Sequence, residues 1–181
     1  MEEHAPQTAS PRKPIKKKYS LALDVMQLVL KIALILGCIF VVFTFVYGVA
    51  RIPDVSMKPA IRDGDLAVYY RLDKLFAIGD VAVIQYEGNT VTGRVVAMEG
   101  DSVDITADGL IVNGAIQQAQ DIYYDTTQFA QGVSFPLTVG EGQVFLLGDN
   151  RPSATDSRIY GCVDLADVKG KVIAVIRTRG I

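Results

Sequence analysis

The chain has 181 residues, half of them hydrophobic, and a formal net charge of −2; that is room for one modest domain plus appendages. Residues 1–50 carry six Lys/Arg against three Asp/Glu, a net +3, whereas residues 51–181 carry twelve against seventeen, a net −5. The acidic C-terminal part argues against nucleic acid as a partner, Cys38 and Cys162 cannot form a disulfide within it, and a single histidine, His4, excludes Ser-His-Asp catalysis and histidine metal sites.

The N-terminal segment mixes Pro6, Pro11 and Pro14 with Arg12, Lys13, Lys16, Lys17 and Lys18. It reads as a basic arm attracted to anionic membrane lipid. Ile32–Ala50 then runs nineteen residues without a charge. At ~1.5 Å per residue it covers nearly the ~30 Å of a hydrocarbon core. Ser20 suits the N-cap of a helix that starts before the bilayer. Gly48-Val49-Ala50 would fit a cleaved secretory signal, yet the apolar run exceeds the usual ~7–15 residues of such a signal. Six Lys/Arg precede the run, which predicts a single-pass cell-membrane protein with a cytoplasmic N-terminus and an extracellular C-terminal domain. The expected organisation is a basic arm over 1–19, a transmembrane helical region over 20–51 and an extracytoplasmic domain over 52–181.

Beyond residue 50 the pattern is β. Short β-branched or aromatic runs occur at 66–70, 81–86, 90–97, 102–106, 110–112, 144–147 and 172–176, and Asn113-Gly114 is a hairpin turn signal. Residues 115–140 read as an inserted loop free to vary, with Tyr123, Tyr124, Phe129 and Phe135 as satellite packing. The expected fold is all-β, a coiled β-sandwich or partly closed barrel, with one N-terminal transmembrane helix.

Three stretches carry the chemistry. Ser56-Met57-Lys58-Pro59 is followed by Asp63-Gly64-Asp65, with Pro59 biasing the preceding segment toward a strand. The second stretch is Gly93-Arg94-Val95-Val96-Ala97-Met98-Glu99-Gly100-Asp101. The third, Gly148 to Gly161, is rich in Gly, Asp, Asn, Pro and Ser, and reads as a rigid loop that positions chemistry on a β-scaffold. Together S-M-x-P, R-V-V-x-x-x-G-D and G-D-N-R-x-x-x-x-D-S-R-x-x-G resemble the motifs of type I signal peptidases of Gram-positive type. They are also close to the signal-peptidase-like proteins of pilus assembly.

The resemblance implies a membrane serine endopeptidase that removes signal peptides from exported preproteins, without cofactor or metal. Ser56 takes the nucleophile position, and Asp54, Met57 and Pro59 take the substrate-groove and oxyanion region. Asp149, Asn150, Arg151, Ala154, Asp156, Ser157 and Arg158 take the structural loop, with Asp156 and Arg158 as its ion pair. Three positions depart from the pattern. The family's general-base lysine precedes the arginine of R-V-V, where this chain has Gly93. The serine that orients that lysine is replaced by Ala154. Asp54 stands where the family has Gly or Ser, and a carboxylate there opposes a developing oxyanion. Lys58 and Asp54 are the nearest substitutes for a base, while Lys74, Lys169 and Lys171 match no motif position. The alternative function is a catalytically impaired accessory that binds pilin or sortase in pilus assembly.

Overall fold

Leu21–Val41 forms one helix, α1, which passes into a π-helical stretch over Val42–Val46. The computed structural model describes residues 21–117, 122 and 124–177, so the basic arm and the Ser20 cap lie outside the described residues. The Leu21–Val46 run is 26 residues long, apolar and unburied along its most apolar window, enough to cross a membrane. The sequence reading carries the helical region to residue 51, whereas the helix itself ends at Val46. Tyr47 turns extended, at φ −115° and ψ 156°, and Tyr47–Arg51 form strand β1, paired antiparallel with β2, Leu66–Tyr70. Gly48 lies so close under the Tyr69 ring that an added Cβ would enter the ring. A ladder and a backbone-to-ring contact therefore hold residues that hydropathy alone assigns to the membrane.

The chain divides into two compact units, Met1–Ile39 and Phe40–Ile181. All strands belong to the second. After β2 come β3 (Val81–Tyr86), β4 (Asn89–Met98), β5 (Ser102–Thr106), β6 (Gly109–Val112), β7 (Ala115–Ile116) and β8 (Leu137–Thr138). The chain continues through β9 (Gln143–Leu147), the one-turn helix α2 (Ser157–Tyr160), β10 (Val163–Asp164) and β11 (Gly170–Ile176). These strands make a seven-stranded sheet, β1-β2-β11-β3-β4-β9-β10, and a four-stranded sheet, β7-β6-β5-β8. The fold is mostly β and antiparallel, and it does not close into a barrel.

Side-chain alternation explains how the sheets stack. Val144 and Leu146 of β9 join Ala82, Ile84, Val91 and Val95 in one core cluster. Phe145 and Leu147 point the other way, into a second cluster with Val103, Ile105, Leu110 and Val112 of the small sheet. Because β9 is buried on both faces, its sequence is a continuous apolar run rather than an alternating one. Asn113 and Gly114, with φ of 53° and 78°, make the tight turn joining β6 to β7; only such residues take left-handed geometry readily. The 115–140 segment is not free to vary throughout. The Phe135 ring meets Phe145 edge-on at 6.0 Å, and the residues before it bond the 148–161 loop.

Candidate active site

The segment carrying Ser56 is a series of turns, not the strand that the sequence reading predicts. Asp54 Oδ1 accepts the Ser56 N–H at 3.1 Å, the Lys58 N–H bonds Val55 O at 3.1 Å, and the Ile61 N–H bonds Met57 O at 2.9 Å. A short carboxylate that bonds the backbone two residues on competes with extended geometry. The bias from Pro59 reaches only Lys58 and is outweighed. Asp54 is therefore not simply on one face with Ser56: it occupies the Ser56 backbone donor. Asp63-Gly64-Asp65 turns back onto the same segment, the Gly64 N–H bonding Ile52 O at 2.8 Å and the Ile52 N–H bonding Asp65 O at 2.9 Å. Met57 is fully buried with Ile52, Ile61 and Ala67. Burial of such a side chain is worth ~1.5–3 kcal/mol, so Met57 anchors Ser56 to the core rather than lining an open groove. Pro59 is exposed.

The structure brings the 148–161 loop onto Ser56. The Asn150 N–H donates to Ser56 O at 2.9 Å, and its Nδ2 donates to Val55 O at 3.1 Å. A Cβ on Gly148 would collide with the Ala154 methyl and sit 2.6 Å from Ser56 O. Glycine is thus required where the loop passes the Ser56 segment, and buried Ala154 lies just beyond it. The loop is held from three directions. Asp149 takes a two-pronged bond from Arg94 of β4, at 2.8 and 2.6 Å. Ser157 Oγ accepts the Leu146 N–H of β9 at 2.9 Å. Buried Asp156 pairs with buried Arg158 at 2.9 and 2.8 Å, while also accepting the N–H groups of Gly148 and Arg158 at 3.1 Å each.

Arg158 carries the loop outward into the inserted segment. It donates to Thr127 O at 3.0 Å and Arg151 O at 2.6 Å, and its guanidinium lies 4.5 Å from the Phe129 ring. Buried Arg151 donates to Gly148 O at 2.9 Å and to the Thr126 hydroxyl. Burial first, then the neighbouring Arg158, draws the Arg151 pKa down to about 10, while Asp156 and Asp149 oppose the drop. It remains a cation at neutral pH. Thr126 and Thr127 are supporting residues that sequence reasoning missed, and Phe129, read there only as satellite packing, stacks on Arg158; nothing in their spacing marks them as partners of residues 25 or more positions away.

Gly93 lies on β4 beside Arg94, and the Arg94↔Leu147 register of β4 on β9 sets it level with Gly148. Gly93 therefore borders the loop that touches Ser56. The space there is not open: a Cβ at Gly93 would stand 3.0 Å from Leu146 Cβ. Three lysines have their amines engaged elsewhere. Lys58 pairs with Asp63 at 2.7 Å, Lys171 pairs with Asp80 at 3.1 Å, and Lys74 donates to Val168 O. Burial, then Asp156, holds the Tyr160 phenol above its ordinary range, with Asp54 adding a smaller push; it stays neutral and is no base. Burial likewise pushes the Cys162 thiol up, away from nucleophilic thiolate.

The geometry is a serine held between a core-anchored turn and a braced loop, with Gly93 of β4 bordering that loop. Comparison with known proteins agrees with the motifs. The profile of the family described as signal peptidase, peptidase S26, matches residues 25–177. Signal peptidase I of Bacillus licheniformis is 28% identical over 171 residues, covering 87% of this chain and 89% of that protein. Thylakoidal processing peptidase 1 of Arabidopsis thaliana is 28% identical over 138 residues, and there the match covers 67% of this chain but only 39% of the relative's length. A crystal structure of a signal peptidase I from Enterococcus faecalis V583 is 27% identical, with a TM-score of 0.46, covering 55% of this chain and 97% of that one. The chain belongs to the signal peptidase family, peptidase S26.

Proposed function

We propose that the chain is a signal-peptidase-I-like serine endopeptidase that cleaves signal peptides from exported preproteins, slowly in its present form. The observation that carries this reading is the bond from the Asn150 N–H to Ser56 O, 2.9 Å long, which fixes the serine against the 148–161 loop. Ser56 acts as nucleophile; Asp149, Asp156, Ser157 and Arg158 brace the loop. The family's lysine would take the hydroxyl proton, and Gly93 cannot. Loss of a general base costs ~10²–10⁴ in rate. β1 ends the larger sheet among the described strands and leads through Ile52 toward Ser56, so an extended peptide can add to that edge. The basic residues ahead of the apolar helix support a cytoplasmic N-terminus over 1–19 and an extracellular β-domain at the cell membrane.

A second reading is favoured by the Asp54 contact with the Ser56 N–H. That donor is then closed to an oxyanion, which suits an accessory that binds pilin or sortase partners without cleaving them. Ser56→Ala separates the two. Full-length protein in lipid vesicles is incubated with a preprotein, and cleavage at the signal-peptide junction is read by mass spectrometry. The expected result is slow cleavage by wild type and none above background by Ser56→Ala. Equal product from both removes Ser56 as nucleophile. No product from either, with cellular function retained by Ser56→Ala, leaves the binding reading.

A further inference from the structure

A cavity of about 230 Å³ opens between the loop joining β2 to β3, strand β4, strand β6 and the start of the 148–161 loop. Ile78, Val96, Leu110 and Ile122 give it apolar walls, and Arg94 and Arg151 also line it. The two guanidiniums differ in what they hold. Arg94 grips Asp149 with two bonds and Gly79 O with a third, at 2.8 Å. Arg151 is 3% exposed, yet no carboxylate among the described residues pairs with it, because Arg94 holds Asp149 and Arg158 holds Asp156. Its Nε and Nη1 donate to uncharged oxygens, Gly148 O and the Thr126 hydroxyl. Its Nη2 has no acceptor among the described residues and, unlike the Thr92 and Tyr160 hydroxyls, is not enclosed. We propose that this cavity binds a small aliphatic carboxylate, with the anionic end on Arg151 and the short hydrocarbon body against Ile78, Val96, Leu110 and Ile122.

Charge and shape identify the ligand. The guanidiniums of Arg94, Arg151 and Arg158 lie near only two carboxylates, those of Asp149 and Asp156, so the cluster has one positive charge unmatched. Buried charges in folded proteins are paired. A carboxylate is the planar partner that a guanidinium fork bonds best. The apolar walls suit a hydrocarbon body, which a bare inorganic anion lacks. Volume limits its length: pockets for drug-sized ligands run to ~300–1,000 Å³, so this smaller one takes a chain of a few carbons. Arg151 also holds Gly148 O at 2.9 Å, which sets the bound carboxylate against the base of the loop that touches Ser56. Binding here goes beyond the proposed activity and holds whether or not Ser56 turns over.

The test uses full-length protein with nitrogen-labelled arginine in micelles of a nonionic detergent, titrated with 4-methylpentanoate. The Arg151 Nε–H signal is identified by its loss in Arg151→Lys, and backbone amide spectra confirm that each variant is folded. The expected result is a saturable shift of the Arg151 signal. The uncharged 4-methylpentanamide should give none, and acetate, which lacks the apolar body, should bind about tenfold or more weakly. Ile78→Trp changes an exposed residue at the cavity wall and should weaken 4-methylpentanoate by covering the opening. Absence of a saturable shift in the folded wild type overturns the proposal. Equal affinity for acetate also overturns it, as the mark of an adventitious ion only. A shift seen only in Asp121→Asn overturns it too, because the chain would then supply its own carboxylate from the stretch between Gln117 and Ile122.

Discussion

A Gly93→Lys/Ala154→Ser variant is expected to cleave a signal-peptide substrate about 10²–10⁴ times faster than the wild-type chain, the gain of a positioned general base. Both positions border Gly148, which touches Ser56. The new lysine has to displace Leu146, whose Cβ stands 3.0 Å from the added Cβ; this shift costs some stability without blocking the site. Gly93→Lys alone should gain less, because its amine lacks the hydroxyl that orients it. Asp54 limits the gain in two ways: its carboxylate holds the Ser56 N–H, and it favours the charged form of a nearby lysine. Adding Asp54→Gly should therefore raise the rate again, by up to the ~10²–10³ typical of one oxyanion donor. Initial rates on a defined preprotein in vesicles measure all three. A folded triple variant no faster than wild type would show that Gly93 does not mark a missing base.

Breaking the Asp156–Arg158 pair should have the largest effect on stability. Both side chains are buried, at 1% exposure each. Removing one partner of such a pair leaves an uncompensated buried charge, at a cost of ~3–5 kcal/mol. Asp156→Ala also leaves the Gly148 and Arg158 N–H groups without their acceptor. Arg158→Met removes the bonds to Thr127 O and Arg151 O together with the stacking on Phe129. Each single variant should fall by this amount in urea unfolding in detergent micelles. The double variant should be less damaging than the sum, since neither charge is then stranded. Strict additivity would show that the pair is not coupled. Arg94→Ala should cost less than either, because Arg94 itself is only partly buried, although it leaves buried Asp149 without its partner.

Strand positions were legible in the sequence because alternation and turn chemistry are local. Leu66–Tyr70, Val81–Tyr86 and the Asn113-Gly114 turn follow directly from side-chain type and spacing. The boundary at Val46 was not, because the pairing of Tyr47–Arg51 depends on β2 and on a ring over Gly48. At the candidate site, Ser56 and the 148–161 loop stand out as motifs, and their contact through Asn150 is long-range. The turn at Ser56 was misread as a strand because Pro59 gives a visible local bias, whereas the Asp54 bond becomes visible only with coordinates. The short helix α2 inside the loop was also missed, although Asp156 caps it by accepting the Arg158 N–H. Four residues are too few for a periodic signal.

The pH–rate profile of the wild-type chain tests the central claim, a serine nucleophile without a titrating base, most directly. With Ser56→Ala as the background, kcat/KM for a signal-peptide substrate is measured from neutral pH upward. Attack assisted only by hydroxide should rise about tenfold per pH unit with no plateau, whereas a general base levels the profile above its own pKa. The expected profile for the wild type is the unbroken rise, and for Gly93→Lys/Ala154→Ser a plateau. A plateau in the wild type, at rates that Ser56→Ala abolishes, would place a working base beside Ser56 and contradict the claim.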